Sequence, residues 1–74
     1  MRLSEFERAV EREFGAAGAT LVTDLALPRA GNRTAAECLR DGVEPREVWH
    51  ALCVEADVPP SRRHGVGLQD PPRR

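Results

Sequence analysis

Apolar residues recur at helical spacing from the start of the chain. Leu3, Phe6, Val10 and Phe14 follow one another at three- and four-residue intervals, and Ala17 continues the row. At 3.6 residues per turn these positions form one stripe, which predicts a first helix. Glu5, Arg8, Glu11 and Arg12 fall on the other faces. Glu5–Arg8 and Arg8–Glu11 are spaced for surface pairing worth about 0.2–0.5 kcal/mol each. Ser4, with Glu7 three residues on, has the form of a capping box, and Gly15 supplies a stop.

The pattern predicts a weaker second helix over residues 16–27, with Leu21, Val22 and Leu25 on one side. Gly18 and the β-branched Thr20, Val22 and Thr23 lower its helicity. A strand at residues 20–25 competes, and helix is preferred because a lone strand has nothing to pair with. Pro28 ends the element, and Gly31-Asn32 marks a turn within a loop at residues 29–33. Thr34 and Glu37 form a second capping box. It opens a short helix over residues 35–40 that turns Cys38 and Leu39 inward, with Gly42 just past its end. Pro45 suits the first position of a last helix running to about Asp57. Val48, Trp49, Leu52, Cys53 and Ala56 form its apolar face, and Pro59-Pro60 stops it. From Ser61 the chain is mostly Pro, Gly, Arg and polar residues, too little apolar surface to offset the entropy of ordering.

The expected fold is therefore all-α: a compact bundle of three to four short helices with a helix-turn-helix-like C-terminal pair. The helical domain spans residues 1–60 and a flexible Pro/Arg-rich tail residues 61–74. The core is expected around Phe6, Val10, Phe14, Leu25, Leu39, Trp49 and Leu52.

Length changes the functional picture first. A chain of 74 residues is one domain, buries a modest share of its surface and has little material for a rigid catalytic cleft. That favours binding over catalysis. Charge changes it next. The net charge of −1 hides an asymmetry: residues 1–58 hold seven Arg and eleven acids, whereas residues 59–74 hold four Arg and Asp70. The folded part is acidic and the tail basic, the reverse of a domain that presents a basic face to nucleic acid. Residues 1–14 lack the apolar run of an export signal, and no stretch reaches the length of a membrane span. A cytoplasmic location is expected, with Cys38 and Cys53 as reduced thiols.

Candidate chemistry is thin. His50 and Cys53 lie three apart on the last helix, and Cys38 and His64 would complete a set of four zinc ligands. No CxxC or HxxxH spacing accompanies them, so the cysteines read as small core residues. Both face inward on neighbouring helices, which makes a disulfide conceivable, but a reducing compartment argues against it. Cys53 with His50 is also the nearest pair for nucleophilic catalysis. Glu5, Glu7, Glu11 and Glu13 read as a solvated face. Gly15-Ala16-Ala17-Gly18 is followed by no Lys-Ser/Thr, so it is no phosphate loop. A helix-turn-helix enters the major groove by the start of its second helix, and here Glu44 and Glu47 stand beside Arg46. No catalytic, cofactor-binding or metal-binding residue is assigned. Trp49 is read as core.

Certain strings carry a resemblance. Met1-Arg2-Leu3-Ser4-Glu5-Phe6, Phe14-Gly15, Arg33-Thr34, Gly42-Val43, Pro45-Arg46-Glu47-Val48-Trp49, Ala51-Leu52-Cys53 and Asp57-Val58-Pro59 resemble the actinobacterial domain-of-unknown-function family numbered 3046, over residues 1 to about 60. The Pro45–Trp49 block is the most specific part. The loop Leu27–Asn32 departs from the Gly-Gly-Arg-Thr type of turn expected there. The resemblance implies a compact helical fold, brings no catalytic residues, and links the family by gene neighbourhood to the RecA recombinase and its regulator. The expectation is a non-enzymatic protein-interaction module with an unidentified protein partner, no cofactor, no membrane and no small-molecule substrate. Its face is the exposed side of the last helix and the loop leading to it, with Arg46 and His50 as contact residues. The competing expectation is a weak DNA-associating domain linked to recombination or repair.

Overall fold

The computed structural model describes residues 1–63. Four helices appear: α1 (Leu3–Phe14), α2 (Gly18–Asp24), α3 (Ala35–Arg40) and α4 (Pro45–Glu55). Short 3-10 turns occupy Gly15–Ala17, Pro28–Ala30 and Pro60–Arg62, and two short strands, β1 (Ala26–Leu27) and β2 (Arg33–Thr34), lie between α2 and α3.

The start of α1 differs from the expected Ser4–Glu7 box. The cap is Arg2, whose backbone N–H donates to Glu5 Oε1 at 2.7 Å. A carboxylate in the first turn also meets the positive end of the helix dipole. Glu5 is thereby engaged at the cap, and among the described residues neither of the expected Glu–Arg pairs on α1 forms. Gly15 ends the helix as expected, with φ +60°.

Gly18 opens α2 and is buried. A Cβ placed there would stand 2.6 Å from Val10 Cγ1 and 3.3 Å from the Val10 carbonyl oxygen. The residue that lowers helicity is thus the one that lets α2 close onto α1.

The second helix stops at Asp24, short of Leu27, because Leu25 adopts extended backbone. Ala26 then pairs with Thr34, and Leu27 with Arg33, in antiparallel register. This corrects the all-α expectation: the fold is mostly helical with a small two-stranded sheet. The lone-strand objection failed because a partner strand lies just beyond the turn. Gly31 (φ +74°) and Asn32 (φ +62°) reverse the chain through the left-handed region, and the Asn32 N–H donates to the Leu27 carbonyl at 2.9 Å.

The third helix forms where the capping box places it. The Glu37 N–H donates to Thr34 Oγ1 at 3.1 Å, and the Thr34 N–H to Glu37 Oε1 at 2.9 Å. Both α3 and α4 end in the same pattern of reverse hydrogen bonds, the Schellman motif. After α3, left-handed Gly42 lets the Val43 N–H reach the Cys38 carbonyl at 3.0 Å. After α4, left-handed Asp57 lets the Val58 N–H reach the Cys53 carbonyl at 2.9 Å.

Phe6, Val10, Trp49 and Leu52 are buried as expected, whereas Phe14, Leu25 and Leu39 only pack partly exposed against the core. Leu27 and Val58 join the core unpredicted, since each sits just outside a helix and on no helical stripe. Trp49 is the centre. Its ring meets Phe6 edge-on at 6.3 Å and 88°, and Phe14 at 6.3 Å and 65°. Ordered chain continues past residue 60: Trp49 Nε1 donates to the Arg63 carbonyl at 2.6 Å. Arg63 Nε donates to the Val58 carbonyl at 2.7 Å, and Arg62 Nη2 to Glu13 Oε2 at 2.9 Å. The rest of the expected flexible tail, residues 64–74, lies outside the described residues.

Gly18→Ala tests the α1–α2 contact. Helix propensity alone would raise stability by about 1 kcal/mol, but overpacking a close crossing costs about 1–3 kcal/mol. Thermal unfolding followed by circular dichroism should show a lower Tm for the variant. A higher Tm would contradict the close approach.

Candidate functional site: a basic groove beside the last helix

The alternation of faces on α4 positions the site. Val48 and Trp49 point inward and are buried, while Arg46, Glu47 and His50 stay exposed. Arg46 and His50 are one turn apart, so their side chains share a face. The β1–β2 hairpin then brings Arg29, Ala30 and Arg33 alongside. Together with Val43 they border a groove of about 540 Å³ whose floor includes Val48 and Ala51. The structure thus gathers both sequence-expected residues, Arg46 and His50, at one site.

Sequence reasoning missed Arg29 and Arg33. Both come from the hairpin, which a helical reading of residues 16–27 does not produce. The available signal was their position on either side of the Gly31-Asn32 turn.

The arginines differ in what they do. Arg33 is a structural clamp. Its Nε donates to the Ala30 carbonyl at 2.9 Å, closing the turn, and its Nη1 donates to Asp41 Oδ2 at 2.9 Å, tying the hairpin to the end of α3. The ion pair is well exposed on both sides, 40% and 50%, so it contributes about 0–1 kcal/mol. Arg29 and Arg46 are exposed, and among the described residues neither forms an ion pair. With Glu47 as the one acid lining it, the groove is locally basic on an acidic domain. A guanidinium pair over a partly apolar floor suits carboxylate or phosphate groups, which arginine binds through two parallel N–H donors.

The other candidate groupings do not assemble. His50 is exposed in the groove, whereas Cys53, one turn further on, is fully buried. Burial pushes the Cys53 thiol up to about 11; nearby Arg63 opposes the shift and Glu13 adds to it. The thiolate is the nucleophile and metal ligand, and this environment holds the group protonated at neutral pH. Cys38 is likewise a buried free thiol, and His64 lies outside the described residues. Among the described residues no three His, Cys, Asp or Glu side chains are grouped to hold a metal ion. No described helix is long and apolar enough to cross a membrane.

Cys53 carries a pH prediction. Its folded pKa, about 11, exceeds the ordinary value of 9.0, so its contribution to stability is full below about pH 9 and lost as pH rises towards 11. Denaturant midpoints should be level in this respect between pH 7 and 8.5 and fall above 9, with Cys53→Ala flattening that fall. At pH 8 the native thiols should react with a disulfide reagent only as fast as the domain opens. Rapid reaction of the folded protein would contradict the burial.

Comparison with known proteins adds the family. Over 38 residues the chain is 50% identical to the Mycobacterium tuberculosis protein named "Putative envelope-preserving system protein Rv2742c", a match covering 51% of this chain. The matched stretch spans 14% of that protein's length. No solved structure matches the chain. The model of one family of proteins of unknown function, DUF3046, matches residues 1–61, and the chain belongs to that family.

Proposed function

We propose that this domain is a small, non-enzymatic protein-interaction module of the cytoplasm, which binds an acidic segment of a partner protein in the Arg29–Arg46–His50 groove. The observation that carries the reading is the gathering of Arg29 and Arg46, without ion pairs among the described residues, beside His50 over Val48 and Ala51. Two elements far apart in sequence supply these side chains. An apolar floor with charged edges is the usual anatomy of a small interface. The mycobacterial relative has its matching stretch within a much longer chain, which fits a module that works in the company of other polypeptide.

A second reading is weak DNA association. The four-residue connection between α3 and α4, and Arg46 at the start of α4 with Arg29 beside it in the groove, favour it. Glu44 and Glu47 at the same end oppose it, since carboxylates repel phosphates. Phosphate-driven binding also falls steeply with salt.

Affinity capture from the native cytoplasm separates the two, with wild-type and Arg29→Glu/Arg46→Glu baits and a nuclease-treated arm. The expected result is a protein recovered by the wild type in both arms and reduced at least about tenfold by the charge-reversed bait, or about 1.4 kcal/mol of binding. Recovery indifferent to charge reversal would contradict the groove. Recovery lost on nuclease treatment would favour the DNA reading.

A further inference from the structure

A second groove lies between α1, α2 and α3, with a volume of about 620 Å³, and it shares no lining residue with the basic groove. Phe6, Val10, Val22 and Leu39 give it an apolar lining, and Ala19 and Ala36 keep its walls low. Leu3, half exposed at 50%, stands at its edge as the exposed large hydrophobic residue of the described chain. Its size lies within the roughly 300–1,000 Å³ typical of ligand clefts.

Its charge is one-sided. Glu7 and Glu11 line the α1 wall, one helical turn apart and exposed, and among the described residues neither forms an ion pair. Across the groove, the α2 wall is without charge: Thr23 lines it, and the Thr23 hydroxyl already donates to the Ala19 carbonyl at 2.9 Å. The other acids of α1 are engaged, Glu5 at the cap and Glu13 with Arg62. Glu7 and Glu11 therefore form a two-carboxylate edge beside an apolar trough.

We infer that this groove docks an amphipathic helix of a partner protein, with an apolar stripe seated in the trough and two basic residues one turn apart facing Glu7 and Glu11. The warrant is charge complementarity over an apolar surface. An apolar stripe at three- and four-residue spacing is how a helix fills such a trough. Lys or Arg at matching i and i+4 positions would stand about 5–6 Å apart, the spacing of neighbouring side chains along one helix face. A second copy of this chain docked symmetrically repeats the same patch on both sides. The lining of that patch includes no Arg, Lys or His to face Glu7 and Glu11. With the basic groove occupied by an acidic segment, the domain would join two partners of opposite charge.

The test is a displayed library of helical peptides about 15 residues long, with randomised sequence, panned on the full 74-residue chain. Expected winners carry apolar residues at i, i+3 or i+4, and i+7, and Lys or Arg pairs four apart. Glu7→Arg/Glu11→Arg should weaken them at least about tenfold, and Ala19→Arg should abolish binding, while Arg46→Glu leaves it unchanged. Replacing the basic pair of a winner by Glu should restore binding to the Glu7→Arg/Glu11→Arg double variant, which loss of folding would not allow. The inference is overturned if no peptide is enriched, if winners lack basic residues, or if binding ignores the Glu7 and Glu11 changes. It is equally overturned if the chain sediments as a dimer that Ala19→Arg dissociates, since a second copy is then the occupant.

Discussion

The fold turns on the indole of Trp49. A tryptophan brings the largest apolar surface of any side chain, together with one N–H that needs an acceptor when buried. In this domain Trp49 is 2% exposed and its ring meets both Phe6 and Phe14 edge-on. That packing fixes α4 across α1. The N–H then needs an oxygen, and the chain supplies one from Arg63, fourteen residues away. Val58 and Glu13 complete the arrangement by holding Arg63 and Arg62. Residues 60–63 are in this way part of the domain: the Arg63 carbonyl covers the polar edge of the central residue.

How much was legible in the sequence follows from which signals are local. The box at Thr34–Glu37, the stop at Gly42 and Pro45 at the head of α4 are local, and each forms as read. The hairpin is not local. Its strands are two residues each, too short for any periodicity, and each becomes a strand only because the other is opposite. The strap over Trp49 was hidden for the same reason: nothing in Pro60–Arg63 announces an acceptor for an indole far upstream. At the candidate site Arg46 and His50 were legible from helical spacing, whereas Arg29 and Arg33 required the hairpin. At the start of α1, Glu5 reached the Arg2 N–H and Ser4–Glu7 did not form the cap, a one-turn choice that two similar sequence patterns leave open.

The near-neutral net charge gives way to local polarity. Salt bridges engage Arg33 with Asp41 and Arg62 with Glu13, and both tie one element to another. Arg29 and Arg46 border one groove, while Glu7 and Glu11 line another. Arg33 does both, clamping the hairpin to Asp41 while lining the first groove, and Glu47 is the acid among that groove's lining residues. Two grooves that differ in charge are the recognition features we propose for this domain.

The most direct test of the Trp49 account is to end the chain at Pro59 or at Arg63 and compare each with the full chain by Trp49 fluorescence during thermal unfolding. Ending at Arg63 should leave Tm and emission unchanged. Ending at Pro59 leaves the buried indole N–H without its acceptor, which costs about 1–3 kcal/mol. Tm should then fall by at least about 4 °C, with emission shifted to the red. A chain ending at Pro59 that melts and emits like the full protein would contradict the claim that residues 60–63 complete the core.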